Sequence, residues 1–340
     1  MSTGTVFAVP VFFLRFAMPP ILTTILIIGV AIVAFIVGFK VRGTQSMSRA
    51  DRKYRQHVKR AARGEGLGIE ELARRLGVTG DELLNAYVSY DEWWIPKRSG
   101  GSRRLLIPNA ELKSLQRLIL HRLLSKLRTH EAVTGFESGL SIVENAMPHV
   151  GQAVVIKLDI KDFFPTTRAD RIDAYFRRVG WDAECAALLT RLTTHEDGLP
   201  QGAPTSPRLS NLINFGLDES IQRFVCGRRR GAYTRYADDL TISFRRDYPQ
   251  RIRGEIQFVT RRLRRDGYEL NHSKVRILRQ HQQQRVTGLV VNDRVNIPRH
   301  IRRKLRAIEH QLNSGRSATM TREQLEGWKS LLRMVEQRRP

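Results

Sequence analysis

RGAYTRYADDLTISF, residues 230–244, holds two β-rich runs around a tight turn at Ala237 to Asp239. The turn carries Asp238 and Asp239 side by side, with apolar residues on both flanks. A second acidic position lies about 80 residues earlier, in KLDIKDFF (157–164), where the apolar strand VVIKLDI (154–160) ends near Asp159. Carboxylates brought together in an apolar setting are costly unless cations neutralise them. Two hard divalent cations answer that cost and suit phosphoryl transfer: one activates an attacking hydroxyl, the other clamps the leaving pyrophosphate. An oxygen-only ligand set selects Mg²⁺ or Mn²⁺ over zinc. A lone Asp at a strand end is usually a turn or cap residue; the pairing of YADD with Asp159 is what makes this pattern informative.

Five segments extend the pattern outward. IPKRSGGSRRLLIP (95–108) reads as strand, Gly-rich turn, strand. LDIKDFF (158–164), GLPQGAPTSPRLSNL (198–212), YADD (236–239) and NHSKVRI (271–277) follow in order. Together they resemble the fingers motif and the successive palm motifs of the reverse transcriptases, over roughly residues 70–340. NAMPH (145–149) and VTG (286–288) resemble two boxes of the retron reverse transcriptases.

The resemblance implies an α+β right-hand polymerase with fingers, palm and thumb, and roles for individual residues. Asp159 and Asp238, with the backbone carbonyl of Ile160, would ligand the metals, and Asp239 would assist. Lys97 and Arg103 would reach the triphosphate from the fingers, with Arg104 as the near alternative to Arg103. Phe164 stands at the position of the family's steric gate, where a bulky ring excludes a ribose 2′-hydroxyl; one of Phe163 and Phe164 is expected to be core. Gln201 and Gly202 would lie along the incoming nucleotide and templating base. Lys274 would protonate the leaving pyrophosphate or else be a surface lysine, and Asp162 would shape the pocket. Asn145, His149, Val286, Thr287 and Gly288 would contact RNA. In the thumb helix IRRKLRAIEHQL (301–312), Arg302, Arg303 and Lys304 would track the duplex backbone.

The implied activity is RNA-directed DNA synthesis by a retron enzyme, making a short DNA branched onto its own noncoding RNA, in phage defence. The implied partners are that structured RNA, dNTPs, the RNA–DNA hybrid, and an effector protein or further copies of the chain. Three other classes compete: an untemplated or protein-primed abortive-infection polymerase, a non-catalytic RNA-binding membrane scaffold, and a group II intron maturase. The intact QG loop, the three aspartates and the short stretch after the last hairpin weigh against them in turn.

Composition agrees with a polyanion partner. The 340 residues carry 58 Lys+Arg against 33 Asp+Glu, a net charge of +25. Cys185 and Cys226 have neither metal-like nor disulfide-like spacing, which makes a reducing compartment the default. The N-terminus differs from the rest. ILTTILIIGVAIVAFIVGF (21–39) carries no charge and is long enough for a hydrocarbon core of ~30 Å. Lys40, Arg42, Arg49, Arg52 and Lys53 follow it, so the positive-inside bias puts the C-terminal bulk in the cytoplasm. A cleaved signal peptide would need a basic segment before a shorter apolar run. Residues 3–20 are an interfacial segment or a second partial hydrophobic element.

The expected organisation is a membrane segment at 1–42, a linker and helical extension at 43–92, fingers and palm at 93–292, and a short basic thumb at 293–340. Within the extension, residues 69–87 read as two short helices, with Thr79 capping the second. They are either half of a helix-turn-helix or, the preferred expectation, a helical hairpin packed on the next domain. Residues 112–127 predict an amphipathic helix, and 285–297 a hairpin turning at Asn292 and Asp293.

Overall fold

A computed structural model describes residues 66–97, 100–227 and 230–337. The expected membrane span at 21–39 and the linker that follows lie outside the described residues. Among the described residues, no helix is long and apolar enough to cross a membrane.

The palm is built on one antiparallel sheet in the order β4–β5–β3–β6, formed by β3 (Val154–Asp159), β4 (Ala232–Tyr236), β5 (Asp239–Phe244) and β6 (Arg276–Arg279). β3 is a near-continuous apolar run because both of its faces are covered. Ile156 and Leu158 pack with Leu217, Ile221, Val259 and Leu263. These belong to α8 (Phe215–Cys226) and α9 (Pro249–Arg265). Val155 alternates to the other face and joins Val143 and Ala146 of α4 (Ile142–Ala146), with Val286 and Val291. Full burial of each such side chain stabilises by about 1.5–3 kcal/mol, so β3 is held from both sides.

The fingers hairpin pairs β1 (Tyr90–Pro96) with β2 (Ser102–Pro108). A second core joins α1 (Ile69–Leu76), α2 (Gly80–Leu84), α3 (Ala110–Leu118), α5 (Ala169–Arg178), α6 (Ala183–Thr193) and α7 (Ser206–Ile213). The pair α1–α2 is therefore a helical hairpin packed on the helices that follow it. Gly77 ends α1 in the left-handed conformation, and Thr79 with Glu82 forms a capping box that starts α2. The expected helix at 112–127 is shorter and less regular. After α3 the chain passes through a π turn (Ile119–Leu123) and a 3-10 turn (Leu124–Lys126).

The hairpin of β7 (Arg285–Val286) and β8 (Leu289–Val290) turns at Thr287 and Gly288, both with positive φ. The expected turn at Asn292 and Asp293 is a second one, closed by the Val290–Asn296 bridge. There Asn292 accepts from the Gln284 amide and donates to the Gln280 and Gln282 carbonyls. The expected turn is thus present, and the tighter one before it carries Thr287 in a conformation that Thr seldom adopts, which hides it from local sequence signals. The last two helices, α10 (Arg299–Asn313) and α11 (Arg322–Gln337), where a thumb was expected, pack around Leu305, Ile308 and Leu325.

Candidate active site

Strand register creates the site. Asp159, the last residue of β3, pairs with Asp239, the first of β5, and the Ile160 amide donates to the Asp238 carbonyl at 3.0 Å. Ala237, at φ +57°, turns the chain between β4 and β5. Asp159 and Asp238 line a cleft of 970 Å³ together with Trp94, Lys97, Arg103 and Gln201. Asp239 opens instead on a smaller cavity of 180 Å³, shared with Lys157 and Lys274.

Burial and neighbouring carboxylates oppose the ionisation of Asp238 and Asp239. Burial, then Asp239 and Asp159, push the Asp238 carboxyl up to about 6. Burial, with Asp159 adding to it, raises Asp239, and Lys157 works against the rise. Lys274 partly relieves this repulsion: its Nζ lies 2.8 Å from Asp159 Oδ2, and the bond raises the lysine pKa. Among the described residues, no three acidic, histidine or cysteine side chains are already drawn together as a metal cage. The donor chemistry nonetheless fits a hard divalent cation, since burial and neighbouring carboxylates that raise Asp238 and Asp239 mark a site short of positive charge. The Lys274 ammonium holds part of that place on Asp159.

Arg235 was not apparent as a site residue, although a charge within a buried strand signals a partner. Its guanidinium is fully buried and grips Asp218 at 2.8 and 2.7 Å. It also donates to the Ala237 carbonyl at 3.1 Å, bracing the turn that presents Asp238.

The fingers hairpin is docked on the palm. The Leu106 amide donates to the Gln201 carbonyl at 2.8 Å. Gly202, at φ +131°, lies so close that a Cβ would meet the Leu106 carbonyl at 2.7 Å. Arg104 is not free for phosphate, because it bridges Glu92 at 2.5 Å and Glu196 at 2.6 Å. Among the described residues, that leaves Lys97 and Arg103, both exposed on the cleft wall, as its cationic groups on the fingers side. Asp162 and Pro165 line the cleft, while Phe164 between them is half-buried against both cores and Phe163 is core.

The two boxes expected to touch RNA are largely internal, which corrects part of that expectation. His149 is 0 % exposed, its ring nitrogens 2.7 Å from Ser243 Oγ and 2.8 Å from Thr234 Oγ1. Thr234 reaches the Asn145 carbonyl at 3.2 Å, and Asn145 Oδ1 accepts from Thr134 at 2.7 Å. The pattern suits the Nε2–H tautomer, with Thr234 passing its own proton on to Asn145 and Ser243 donating to Nδ1. Burial pushes the histidine down to about 3. Asn145 and His149 thus brace β4 and β5 and present no surface to RNA. Val286 is also buried, in the cluster that holds Val143 and Ala146, and Thr287 Oγ1 donates to the Ile142 carbonyl at 3.1 Å. The two boxes, far apart in sequence, pack as one unit. Gly288, Arg303 and Lys304 are exposed, and Thr287 and Arg302 partly so.

The reverse transcriptase (RNA-dependent DNA polymerase) family matches residues 95–291. The chain belongs to this family. Similarity to retron enzymes narrows the assignment to the retron type. The retron Mx162 reverse transcriptase of Myxococcus xanthus is 33% identical, over 82% of this chain and 67% of that protein. The retron Mx65 reverse transcriptase of the same organism is 36% identical, over 78% and 68%. The retron Ec86 reverse transcriptase of Escherichia coli is 35% identical, over 78% and 82%. This reverse transcriptase is an RNA-directed DNA polymerase, and the cleft bounded by Asp159 and Asp238 is its candidate catalytic centre.

Proposed function

We propose that this reverse transcriptase copies a structured noncoding RNA into a short DNA that stays branched onto that RNA, and that it acts in phage defence. The observation that carries the catalytic part is the convergence of Asp159 and Asp238 on a cleft walled by Lys97 and Arg103. Asp159, Asp238 and the Ile160 carbonyl would hold Mg²⁺ or Mn²⁺, with Asp239 assisting. Bound there, divalent cations supply charge neutralisation for the attacking hydroxyl and the leaving pyrophosphate.

The chain's own residues do the rest. Lys97 and Arg103 bind triphosphate oxygens by charge-assisted hydrogen bonds. Gln201 and Gly202 bound the nucleotide on the palm side, and Phe164 meets the sugar at its 2′ position. Lys274 holds a proton at Nζ that can pass to the leaving pyrophosphate. Gly288, Arg302, Arg303 and Lys304 contact the RNA or the RNA–DNA hybrid along its backbone. The apolar run 21–39 anchors the enzyme in a membrane with its catalytic part in the cytoplasm, where an effector protein or another copy of the chain responds to the hybrid.

The test uses cells carrying the gene with its native flanking DNA. Small nucleic acids are extracted, treated with RNase and separated. A discrete short DNA that shifts with debranching enzyme, and is missing when Asp238→Asn and Asp239→Asn are combined, is the expected result. Its absence with the protein expressed would favour an untemplated polymerase or an RNA-binding scaffold.

A further inference from the structure

Phe136 adopts φ +62°, a region that bulky side chains avoid, yet its ring is 46 % exposed. Hydrophobic burial therefore does not account for the strain. Such a conformation lasts only where its surroundings over-determine it, and here they do. The Thr134 amide donates to the Arg235 carbonyl at 3.0 Å, and the Arg235 amide to the Ala132 carbonyl at 2.8 Å. Asn211 Nδ2 donates both to the Gly135 carbonyl and to Glu137 Oε1, each at 2.8 Å. Arg208 pairs with Glu137 on the other side. Gly135 lies against the catalytic turn so closely that a Cβ there would meet the Ala237 amide nitrogen at 2.8 Å.

What this bracing achieves is the placement of one ring. The Phe136 centroid lies 6.3 Å from Phe164 and 6.1 Å from Tyr236, tilted 47° and 41°. Both distances fall in the range of favourable aromatic pairs. Phe164 is half-buried and follows Phe163 in the chain, 5.5 Å away between centroids. Among the described residues, Phe136 is thus the one aromatic partner that reaches Phe164 from a different segment, and that segment is tied to the turn bearing Asp238.

We propose that Phe136 is a positioning residue that holds the Phe164 ring against the nucleotide sugar and so sets the discrimination between deoxyribonucleoside and ribonucleoside triphosphates. The inference rests on the reading of Phe164 as the ring that meets the 2′ position. A ring that meets the 2′ position excludes a hydroxyl only if it cannot swing aside, and the Phe136 ring pairs with it from a second segment.

The test is single-nucleotide insertion by the purified full chain on a primed RNA template, comparing kcat/KM for dGTP and GTP. Phe136→Leu removes the ring, and Phe136→Gly removes it while relieving the backbone. Both are expected to lower the dGTP:GTP ratio roughly fivefold, the scale of one aromatic contact, whereas Phe136→Tyr keeps it. Phe164→Val is the reference and lowers the ratio further. If Phe164→Val collapses the ratio and both Phe136 variants leave it unchanged, the inference fails while the role of Phe164 stands. If Phe164→Val changes nothing, the role of Phe164 fails and the inference with it. A fall with leucine but not with glycine would assign the effect to the loop backbone and also overturn the proposal.

Discussion

Arg235 and Asp218 form a two-bond ion pair with both side chains fully buried, directly beneath the turn that carries Asp238. A buried pair is not in itself strongly stabilising, but removing one partner strands the other charge without water. Asp218→Asn is therefore expected to lower the unfolding free energy by about 3–5 kcal/mol, read from a denaturant titration of the purified chain. A loss below 1 kcal/mol would mean that water reaches the guanidinium. Tyr233 donates to the same carboxylate at 2.7 Å, so Tyr233→Phe should cost less than Asp218→Asn.

Gly202 couples palm to fingers through absence of a side chain. Gly202→Ala places a Cβ against the Leu106 carbonyl at a φ that disfavours L-residues, a strain of about 1–3 kcal/mol. Because the hairpin lies over the cleft, the strain should appear in catalysis. A drop in kcat/KM for dNTP of about tenfold is expected, with the circular dichroism spectrum unchanged. An unaffected kcat/KM would show that the hairpin shifts freely.

Arg103 and Arg104 are neighbours with different tasks. Arg104→Ala breaks two solvent-exposed ion pairs, which contribute little to stability, so the melting temperature should barely move while KM for dNTP rises as the hairpin loosens. Arg104→Lys should not rescue it, because an ammonium cannot bridge Glu92 and Glu196 as a guanidinium fork does. Arg103→Lys should retain most activity, since a triphosphate accepts a point charge. The opposite pattern of rescue would exchange the two roles.

His149 makes the fold sensitive to mild acid. Its folded pKa, about 3, lies below the unfolded value of about 6.5. The unfolded chain thus binds the extra proton first. The stabilising contribution is complete above pH 6.5 and is lost progressively as pH falls toward 3. Between pH 7.5 and 5 this group alone should remove about 2 kcal/mol. Denaturant titrations at several pH values, compared with His149→Gln, isolate that slope. Equal slopes in the two proteins would show that the imidazole is not sealed from solvent.

Much of the catalytic centre was legible because its signals are local. Asp159, Asp238 and Asp239 stand at strand ends in apolar surroundings, and strand register alone brings Asp159 opposite Asp239. What could not be read was long-range pairing. Arg235 announces a buried charge, but nothing in the chain marks Asp218 as its partner. NAMPH and VTG looked like separate RNA contacts. The apolar character of Val286 hinted at burial, yet only the fold shows that it packs with Val143 and that His149 is sealed between Thr234 and Ser243. Arg104 looked free because Glu196 lies 92 residues away. Phe136 carries no sequence signal at all, since backbone strain in a non-glycine residue is invisible before the chain is folded.

The most direct test of the central claim is DNA synthesis by the purified chain on a primed RNA template with Mg²⁺ and dNTPs, alongside Asp238→Asn and Asp159→Asn. Both residues line the one cleft with Lys97 and Arg103. The account predicts template-directed extension by the native enzyme, abolished by chelation of the metal, and a loss of roughly a hundred- to a thousandfold in each variant, on the scale of removing a transition-state charge stabiliser. Extension that persists in either folded variant, or that ignores the template sequence, would contradict it.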